Sequence, residues 1–204
     1  MKTFRQFFIE QTEDRTVVFA YGRFNPPTIA HNMLIEKVIQ TAKQKQADYL
    51  IIPSHSVKPP DKNPLTADQK AKILRYMVPD PSKIGLFGQT YVTALQQIKS
   101  MGFNKVIQIA GSDRIPEFTF FVNKYNGKPD KSGNIPFNFD YFEFVSAGER
   151  DPDSEGMSGM SASKLRSLAV NGDIEQFKEG MAETVPDKLK EQTYLQIRKI
   201  SKTK

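Results

Sequence analysis

The chain has 204 residues, 38% of them hydrophobic and 25% charged, which are the proportions of a globular protein with a buried core. It has no cysteine, which excludes disulfides, thiolate metal ligands and a cysteine nucleophile. Two histidines leave little material for a histidine-rich metal site, so no protein-held metal is predicted. The net charge of +6 favours anionic partners.

The basic residues are scattered along the chain rather than gathered in a block, which argues against nucleic acid as the partner. No apolar run approaches the roughly 18 residues that span a bilayer, so we expect no membrane partner and a cytoplasmic protein. The length suits one domain. We place it at residues 15–204, after an N-terminal extension at residues 1–14.

Apolar runs alternate with segments of helical periodicity along the chain, and this alternation predicts an α/β protein with a parallel sheet. Predicted strands lie at residues 16–21, 47–53, 84–87, 106–110 and 140–147. Helices are predicted after residue 28, from Thr66, over residues 92–101, and from about Ser161, Ile174 and Asp187. The polar stretch at residues 123–138, rich in Gly, Pro, Asn and Lys, predicts an exposed insertion, and residues 148–160 predict a polar loop.

The stretch at residues 22–31, GRFNPPTIAH, joins the first strand to the first helix. Gly22 permits unusual backbone angles and close approach of a ligand, and Thr28 is a candidate N-cap of the helix. His31 then falls in the first helical turn, where free N–H groups and the helix dipole favour an anion. The spacing predicts a phosphate site, although a lone histidine in line with an apolar stripe is also typical of a partly buried structural residue.

The same stretch resembles the signature of the nucleotidylyltransferase superfamily, Gly-x-Phe-x-Pro-x-(His/Thr)-x-x-His. Gly22, Phe24, Thr28 and His31 match it, as does Pro26. Within the superfamily, the stretch is most similar to that of the nicotinamide/nicotinate mononucleotide adenylyltransferases. The resemblance implies a Rossmann-like doubly wound parallel sheet with C-terminal helices.

A second signature lies far along the chain, at residues 160–166, MSASKLR. On a helix that starts near Ser161, Ser163 and Arg166 are three residues apart and share a face. The segment resembles the family's Ile-Ser-Ser-Thr-x-x-Arg motif. The guanidinium of arginine has a fixed fork of donors that suits phosphate oxygens.

Two shorter segments agree with this family. Residues 111–113, Gly-Ser-Asp, resemble the family's Gly-x-Asp, in which the backbone and the carboxylate contact the nucleotide. Residues 63–67, Asn-Pro-Leu-Thr-Ala, resemble a segment of archaeal-type mononucleotide adenylyltransferases. The matches follow the family's order along the chain.

The resemblance implies transfer of a nucleoside monophosphate from ATP or CTP to a small phosphorylated acceptor, with release of pyrophosphate. His31 would donate to the α-phosphate, and Thr28 would hold phosphate through its hydroxyl and N–H. Arg166 and the two serines would bind the β- and γ-phosphates, and Lys58 or Lys62 could add a charge. Mg²⁺ would be held mainly by substrate phosphates. The implied nucleotide-site residues are Gly22, Arg23, Phe24, Asn25, Thr28, His31, Gly111, Asp113, Ser161, Ser163 and Arg166.

The nucleotide and the acceptor stay open at this point. Thr28 and residues 63–67 favour an adenylyltransferase that makes NAD from ATP and nicotinamide mononucleotide. Residues 155–158, Glu-Gly-Met-Ser, resemble part of a cytidylyltransferase motif and favour a CDP-activated product. A non-catalytic virion protein that retains the fold is a third alternative, because residues 1–10 resemble capsid-targeting peptides of tailed phages, trimmed after Glu10. That peptide implies association with a phage head. The sequence indicates no particular oligomeric state.

Overall fold

The computed structural model describes residues 15–148 and 159–202. The N-terminal extension at residues 1–14, with its capsid-targeting resemblance, lies outside the described residues. So does the 155–158 segment that favours a cytidylyltransferase.

A four-stranded sheet of parallel strands forms the centre of the molecule, in the order β2-β1-β3-β4. The strands are β1 (Thr16–Gly22), β2 (Asp48–Pro53), β3 (Lys105–Ala110) and β4 (Tyr141–Ser146). Four of the five predicted strands are therefore confirmed. The β1 register places Val17 beside both Asp48 of β2 and Val106 of β3.

Seven α-helices accompany the sheet in the described part of the chain. They are α1 (Ala30–Lys45), α2 (Ala67–Leu74), α3 (Tyr91–Ser100), α4 (Ile115–Tyr125), α5 (Ala162–Asn171), α6 (Ile174–Glu179) and α7 (Asp187–Lys202). Thr66 caps α2 as predicted, because its hydroxyl accepts the Gln69 N–H while the Gln69 side chain accepts the Thr66 N–H.

Helices cover both faces of the sheet, because successive side chains of a strand point to opposite faces. Val17 and Phe19 of β1 pack in one core with apolar residues of α3 and α4. Val18 and Ala20 pack in a second core with α1 and α2. This arrangement confirms the predicted Rossmann-like, doubly wound sheet.

The C-terminal helices form a third apolar cluster beside the sheet. Leu165 of α5, Phe177 of α6 and Ile197 of α7 pack there with Leu65 and Ile73 from the α2 region. The cluster fixes α5, which carries the second signature, against the part of the chain that follows β2. The predicted C-terminal helices are thus confirmed.

Three features of the structure differ from what the sequence predicts. Residues 84–87 are not a strand, since Ile84 makes a single bridge to Ile51 and pairing stops there. Helix α4 has no counterpart in the prediction. The predicted insertion at residues 123–138 begins inside α4, and within it Phe137 is buried while the other residues are half-buried or exposed.

The order of the strands reverses at β1, because β2 lies on one side of β1 and β3 lies on the other. In open parallel sheets ligands bind outside the carboxyl ends of the strands, in the crevice where the strand order reverses. Gly22 ends β1, and Gly111 directly follows β3, so both lie at this crevice. Within residues 15–148 and 159–202, no helix combines the length and apolar character needed to cross a membrane.

Candidate active site

A cavity of about 390 Å³ opens at the carboxyl ends of β1 and β3. This volume is in the usual range for small-molecule sites. The predicted site residues that line it are Gly22, Arg23, Phe24, Asn25, His31, Lys62, Gly111, Asp113, Ser161, Ser163 and Arg166. The two signatures, more than a hundred residues apart in sequence, therefore meet in one cavity.

The loop from β1 to α1 is shaped by Phe24, whose backbone adopts a left-handed conformation with φ of 44°. Its ring is buried and stacks beside the His31 ring, with 4.9 Å between the centroids. A Cβ on Gly22 would lie 3.0 Å from the Phe24 ring, so glycine makes room for it. Phe24 lines the cavity, and its ring also packs against the histidine.

His31 is the second residue of α1 and is 7% exposed. The Thr28 backbone N–H donates to His31 Nδ1 over 2.9 Å. Because a backbone N–H can only donate, Nδ1 is an acceptor and the neutral ring carries its proton on Nε2. His31 thus lines the cavity, and the donor of its neutral ring is Nε2–H.

Thr28 is not the N-cap that the sequence predicts. Helix α1 begins at Ala30 with Ile29 at the N-cap and no side-chain cap, so the predicted cap is wrong. Thr28 is fully buried, and its hydroxyl and N–H both lie 2.9 Å from His31 Nδ1. It is not among the residues that line the cavity. Its contacts hold the histidine ring, behind the predicted phosphate site.

Asn25 joins three segments of the site. Its buried side-chain amide donates to the Leu65 carbonyl and accepts the Leu65 N–H, at 3.1 and 3.0 Å. Its own carbonyl accepts a hydrogen bond from Arg166 Nη1 over 2.7 Å. The loop after β1, the segment before α2 and helix α5 are therefore fastened at one residue.

Helix α5 directs its N-terminus at the cavity. Ser161 is the N-cap, and its Oγ accepts the Lys164 N–H over 3.1 Å. Ser161, Ala162 and Ser163 line the cavity, so the start of α5, where backbone N–H groups favour an anion, faces this space. The hydroxyls of Ser161 and Ser163 act as acceptors within the protein, so each can still donate its proton to a ligand.

Arg166 is held by two hydrogen bonds within the protein. Nη1 donates to the Asn25 carbonyl, and Nη2 donates to Ser163 Oγ over 3.0 Å. Burial, and secondly the Arg23 guanidinium, lower the pKa of Arg166, while the Asp61 carboxylate opposes the shift. Arginine still stays protonated, and its remaining N–H groups can bind a ligand.

At the end of β3, Gly111 allows a close turn. A Cβ on Gly111 would lie 2.6 Å from Asp113 Oδ1, so a larger residue would displace the carboxylate. Asp113 lines the cavity and is the one carboxylate among the described residues that do so. Glycine at position 111 of the Gly-x-Asp segment therefore leaves room for the Asp113 carboxylate.

Sequence reasoning missed the start of α4, which places Arg114 and Phe118 in the cavity wall. Arg114 pairs with Glu117 at 2.9 Å and lies 5.7 Å from the Phe118 ring. The signal was present, because Ile115, Phe118 and Val122 have helical spacing. Tyr21 and Leu34 also line the cavity without having been predicted.

The structure separates the two candidate loop lysines. Lys62 lines the cavity, whereas Lys58 is exposed and lies outside the lining. Arg23, Lys62, Arg114 and Arg166 therefore face a single carboxylate among the described lining residues. This balance suits a ligand with several negative charges.

The donor set also bears on Mg²⁺. No group of three or more His, Cys, Asp or Glu side chains gathers in the part of the chain that the structure describes. One carboxylate, Asp113, lies in the cavity wall. Mg²⁺ usually keeps several waters and binds through one or two carboxylates plus substrate phosphates, and these residues fit that mode.

Together, the doubly wound sheet, the cationic cavity at its switch point and the paired signatures define a nucleotidylyltransferase-type domain. The cytidylyltransferase-like family model matches residues 19–166, a range that runs from β1 to Arg166. The chain belongs to this cytidylyltransferase-like family. No curated protein sequence matches the chain.

Two solved structures of similar fold come from Plasmodium falciparum. One is a nicotinic acid mononucleotide adenylyltransferase complexed with NaAD, 18% identical, with a TM-score of 0.55 over 88% of this chain and 97% of that chain. The other is the same type of enzyme complexed with APC, 15% identical, with a TM-score of 0.54 and the same coverage. At this identity the likeness concerns the fold.

Proposed function

We propose that this protein transfers the adenylyl group of ATP to nicotinamide mononucleotide, forming NAD and releasing pyrophosphate. The observation that carries the proposal is the meeting of His31 with the α5 N-terminus and Arg166 in one cationic cavity. Phosphoryl-type transfer depends mainly on positioning and on stabilising charge, and those are what this cavity offers.

In the proposed reaction, a phosphate oxygen of the acceptor forms a bond to the α-phosphorus of ATP. The bond from that phosphorus to the oxygen bridging the β-phosphate breaks, and pyrophosphate carries away the electron pair. His31 Nε2–H donates to a non-bridging oxygen of the α-phosphate as charge develops there. No covalent enzyme intermediate is needed.

The leaving group is held by the other wall of the cavity. The first-turn N–H groups of α5, the hydroxyls of Ser161 and Ser163 and the free N–H protons of Arg166 bind the β- and γ-phosphates. Lys62 adds a positive charge from the loop before α2. Thr28 acts through His31, whose ring it orients.

Mg²⁺ is proposed as the metal cofactor, carried mainly by the substrate phosphates, with Asp113 as the nearby carboxylate. When bound, it neutralises part of the phosphate charge. No residue cluster of this chain is assigned to it.

Adenylyl rather than cytidylyl transfer is supported by Thr28 and by the Asn-Pro-Leu-Thr-Ala segment at residues 63–67. That segment belongs to the framework of the site, because both the N–H and the carbonyl of Leu65 form hydrogen bonds with the Asn25 side chain. Cytidylyl transfer is the second candidate, and residues 155–158 favour it.

A pyrophosphate-release assay with ATP and CTP, each paired with a panel of phosphorylated acceptors, separates the candidates. We expect turnover with ATP and nicotinamide mononucleotide. Turnover confined to CTP would replace the proposed nucleotide. Nucleotide binding without turnover for any pair would favour a non-catalytic virion or nucleotide-binding protein.

A further inference from the structure

Lys70 is an unusual lysine, because it is fully buried although it lies in a helix of the outer layer. Its Nζ donates to the Ser54 carbonyl, and no ion pair to Lys70 exists among the described residues. Burial lowers its pKa to about 8. An unpaired buried charge is unfavourable for folding, so its effect on neighbouring structure is of interest.

The acceptor, Ser54, is the residue where the chain leaves β2 and enters the loop at residues 54–65. The Ser54 N–H donates to the Gly22 carbonyl over 2.7 Å. Ser54 is therefore held from two sides, by Gly22 at the opening of the cavity loop and by Lys70 from α2. The start of the 54–65 loop has a fixed position relative to His31 and its neighbours.

The other end of the 54–65 loop is fixed as well, through the two bonds between Asn25 and Leu65. Within the loop, Asn63 Nδ2 donates to the carbonyls of Lys58 and Pro59, at 2.8 and 3.3 Å. The N–H groups of Lys62 and Asn63 also donate to the Pro59 carbonyl. Residues 58–63 thus form a tied turn.

Lys62 extends from this tied turn into the cavity, while Lys58 on the same turn stays outside the lining. The position of the Lys62 charge depends on where the turn sits. The turn keeps its shape through Asn63, and its place in the protein depends on the anchors at the two ends of the loop, Ser54 and Leu65. Of these, the contact from Lys70 reaches the loop from the helix behind it.

We propose that Lys70 is a positioning residue for the phosphate site, which fastens the 54–65 loop at Ser54 so that Lys62 meets the nucleotide phosphates. The inference rests on the proposed function, since it assumes that the cavity binds a nucleoside triphosphate. It assigns a role to a lysine that belongs to neither signature.

The test is a double-mutant cycle on ATP binding, measured by isothermal titration calorimetry at pH 7 without acceptor. Lys62→Met should weaken binding by about tenfold, as expected for one charge-assisted contact. Lys70→Met should weaken binding by a similar factor in the parent protein and by less than about twofold when Lys62 is already Met. Lys72→Met, which removes an exposed lysine of the same helix, should leave ATP affinity unchanged.

An equal loss of affinity from Lys70→Met in both backgrounds would mean general damage and would overturn the proposal, as would no loss at all. If Lys70→Met does not fold, Lys70→Gln, whose shorter side chain removes the ammonium from the Ser54 carbonyl, enters the cycle with the same criterion. Failure of the unmutated protein to bind ATP or CTP would refute the proposed function itself. Binding without coupling between residues 62 and 70 would refute this inference alone.

Discussion

Hydrogen bonds within the protein already hold the two side chains on which the proposed chemistry depends. Nδ1 of His31 is occupied by Thr28, and two nitrogens of Arg166 are occupied by Asn25 and Ser163. Such preorganised donors need little rearrangement when charge develops in a transition state. For His31, we therefore expect a substitution to lower turnover more than it lowers ATP affinity.

Replacement of His31 by Ala tests this most simply. Removing a donor that acts mainly in the transition state should lower kcat by about a hundredfold or more, with a smaller change in ATP affinity. Steady-state kinetics and calorimetry measure the two quantities. His55→Ala is the control, because it removes the chain's other histidine, which is outside the cavity lining. Unchanged turnover in a folded His31→Ala protein would remove His31 from the mechanism.

Replacement of Arg166 by Lys keeps the positive charge and removes the fixed fork of guanidinium N–H donors. A single ammonium cannot reproduce the planar geometry that joins the Asn25 carbonyl, Ser163 Oγ and a phosphate. We expect the KM for ATP to rise about tenfold or more, with kcat also reduced. Arg75→Lys, at an exposed position after α2, should change neither constant. Activity like that of the unmutated protein in Arg166→Lys would contradict the assigned contact.

At the scale of the element, Gly180 links the C-terminal helices to the cavity loop. Its carbonyl accepts the N–H of Ile29, the N-cap of α1, over 2.9 Å. A Cβ on Gly180 would lie 2.6 Å from Leu165 Cδ1 and 3.0 Å from the Met160 sulfur. Leu165 is fully buried on α5, between Ser163 and Arg166 in sequence, so a methyl group on Gly180 would push on the helix that is proposed to bind phosphate.

Gly180→Ala should therefore lower both stability, by about 1–3 kcal/mol from overpacking, and ATP affinity, by several-fold. Denaturant unfolding and calorimetry measure the two effects. Gly133→Ala is the matched control, since its φ of +81° makes it mildly destabilising while nothing lies within 4 Å of the added Cβ. A Gly180→Ala protein with lower stability and full affinity would show that α5 moves independently of α6.

The elements also show how far the sequence leads. Strand, turn and helix at residues 16–45 and the serine-arginine helix were predictable, because apolar periodicity and short motifs are local signals. Thr28 was misjudged, because the hydrogen bond that decides its role goes to His31 rather than to the helix end. Residues 84–87 do not form a strand, because only Ile84 pairs with β2. Such pairing depends on the tertiary structure and leaves no local signal in the sequence. Gly180 carries no motif, and its role appears only when α6 meets α1.

At the scale of the whole molecule, stability depends on pH through Lys70. Its pKa is about 8 in the folded protein and near its ordinary value of 10.5 in the unfolded chain. Below pH 8 both states are protonated, and the folded state bears the full desolvation penalty. Between these two values the unfolded chain binds more protons, so the free energy of unfolding rises as pH rises.

We expect this free energy to rise by about 2 kcal/mol between pH 7.5 and 9.5 from Lys70 alone. Lys70→Met should lack that increment, and Lys72→Met should keep it. Denaturant titrations of the three proteins at both pH values provide the measurement. The same pH dependence in Lys70→Met as in the parent protein would show that other groups cause it.

The whole molecule joins a sheet crevice, three helix N-termini and a surplus of cations around one cavity, and we propose that this cavity catalyses attack on an α-phosphate. The direct test follows ATP labelled at the α-phosphorus during incubation with nicotinamide mononucleotide. We expect the label to enter a product that also contains the nicotinamide, with one pyrophosphate released per product and a rate that falls by about a hundredfold or more in His31→Ala. Label that stays in ATP, or that leaves as AMP or ADP without joining the acceptor, would contradict it.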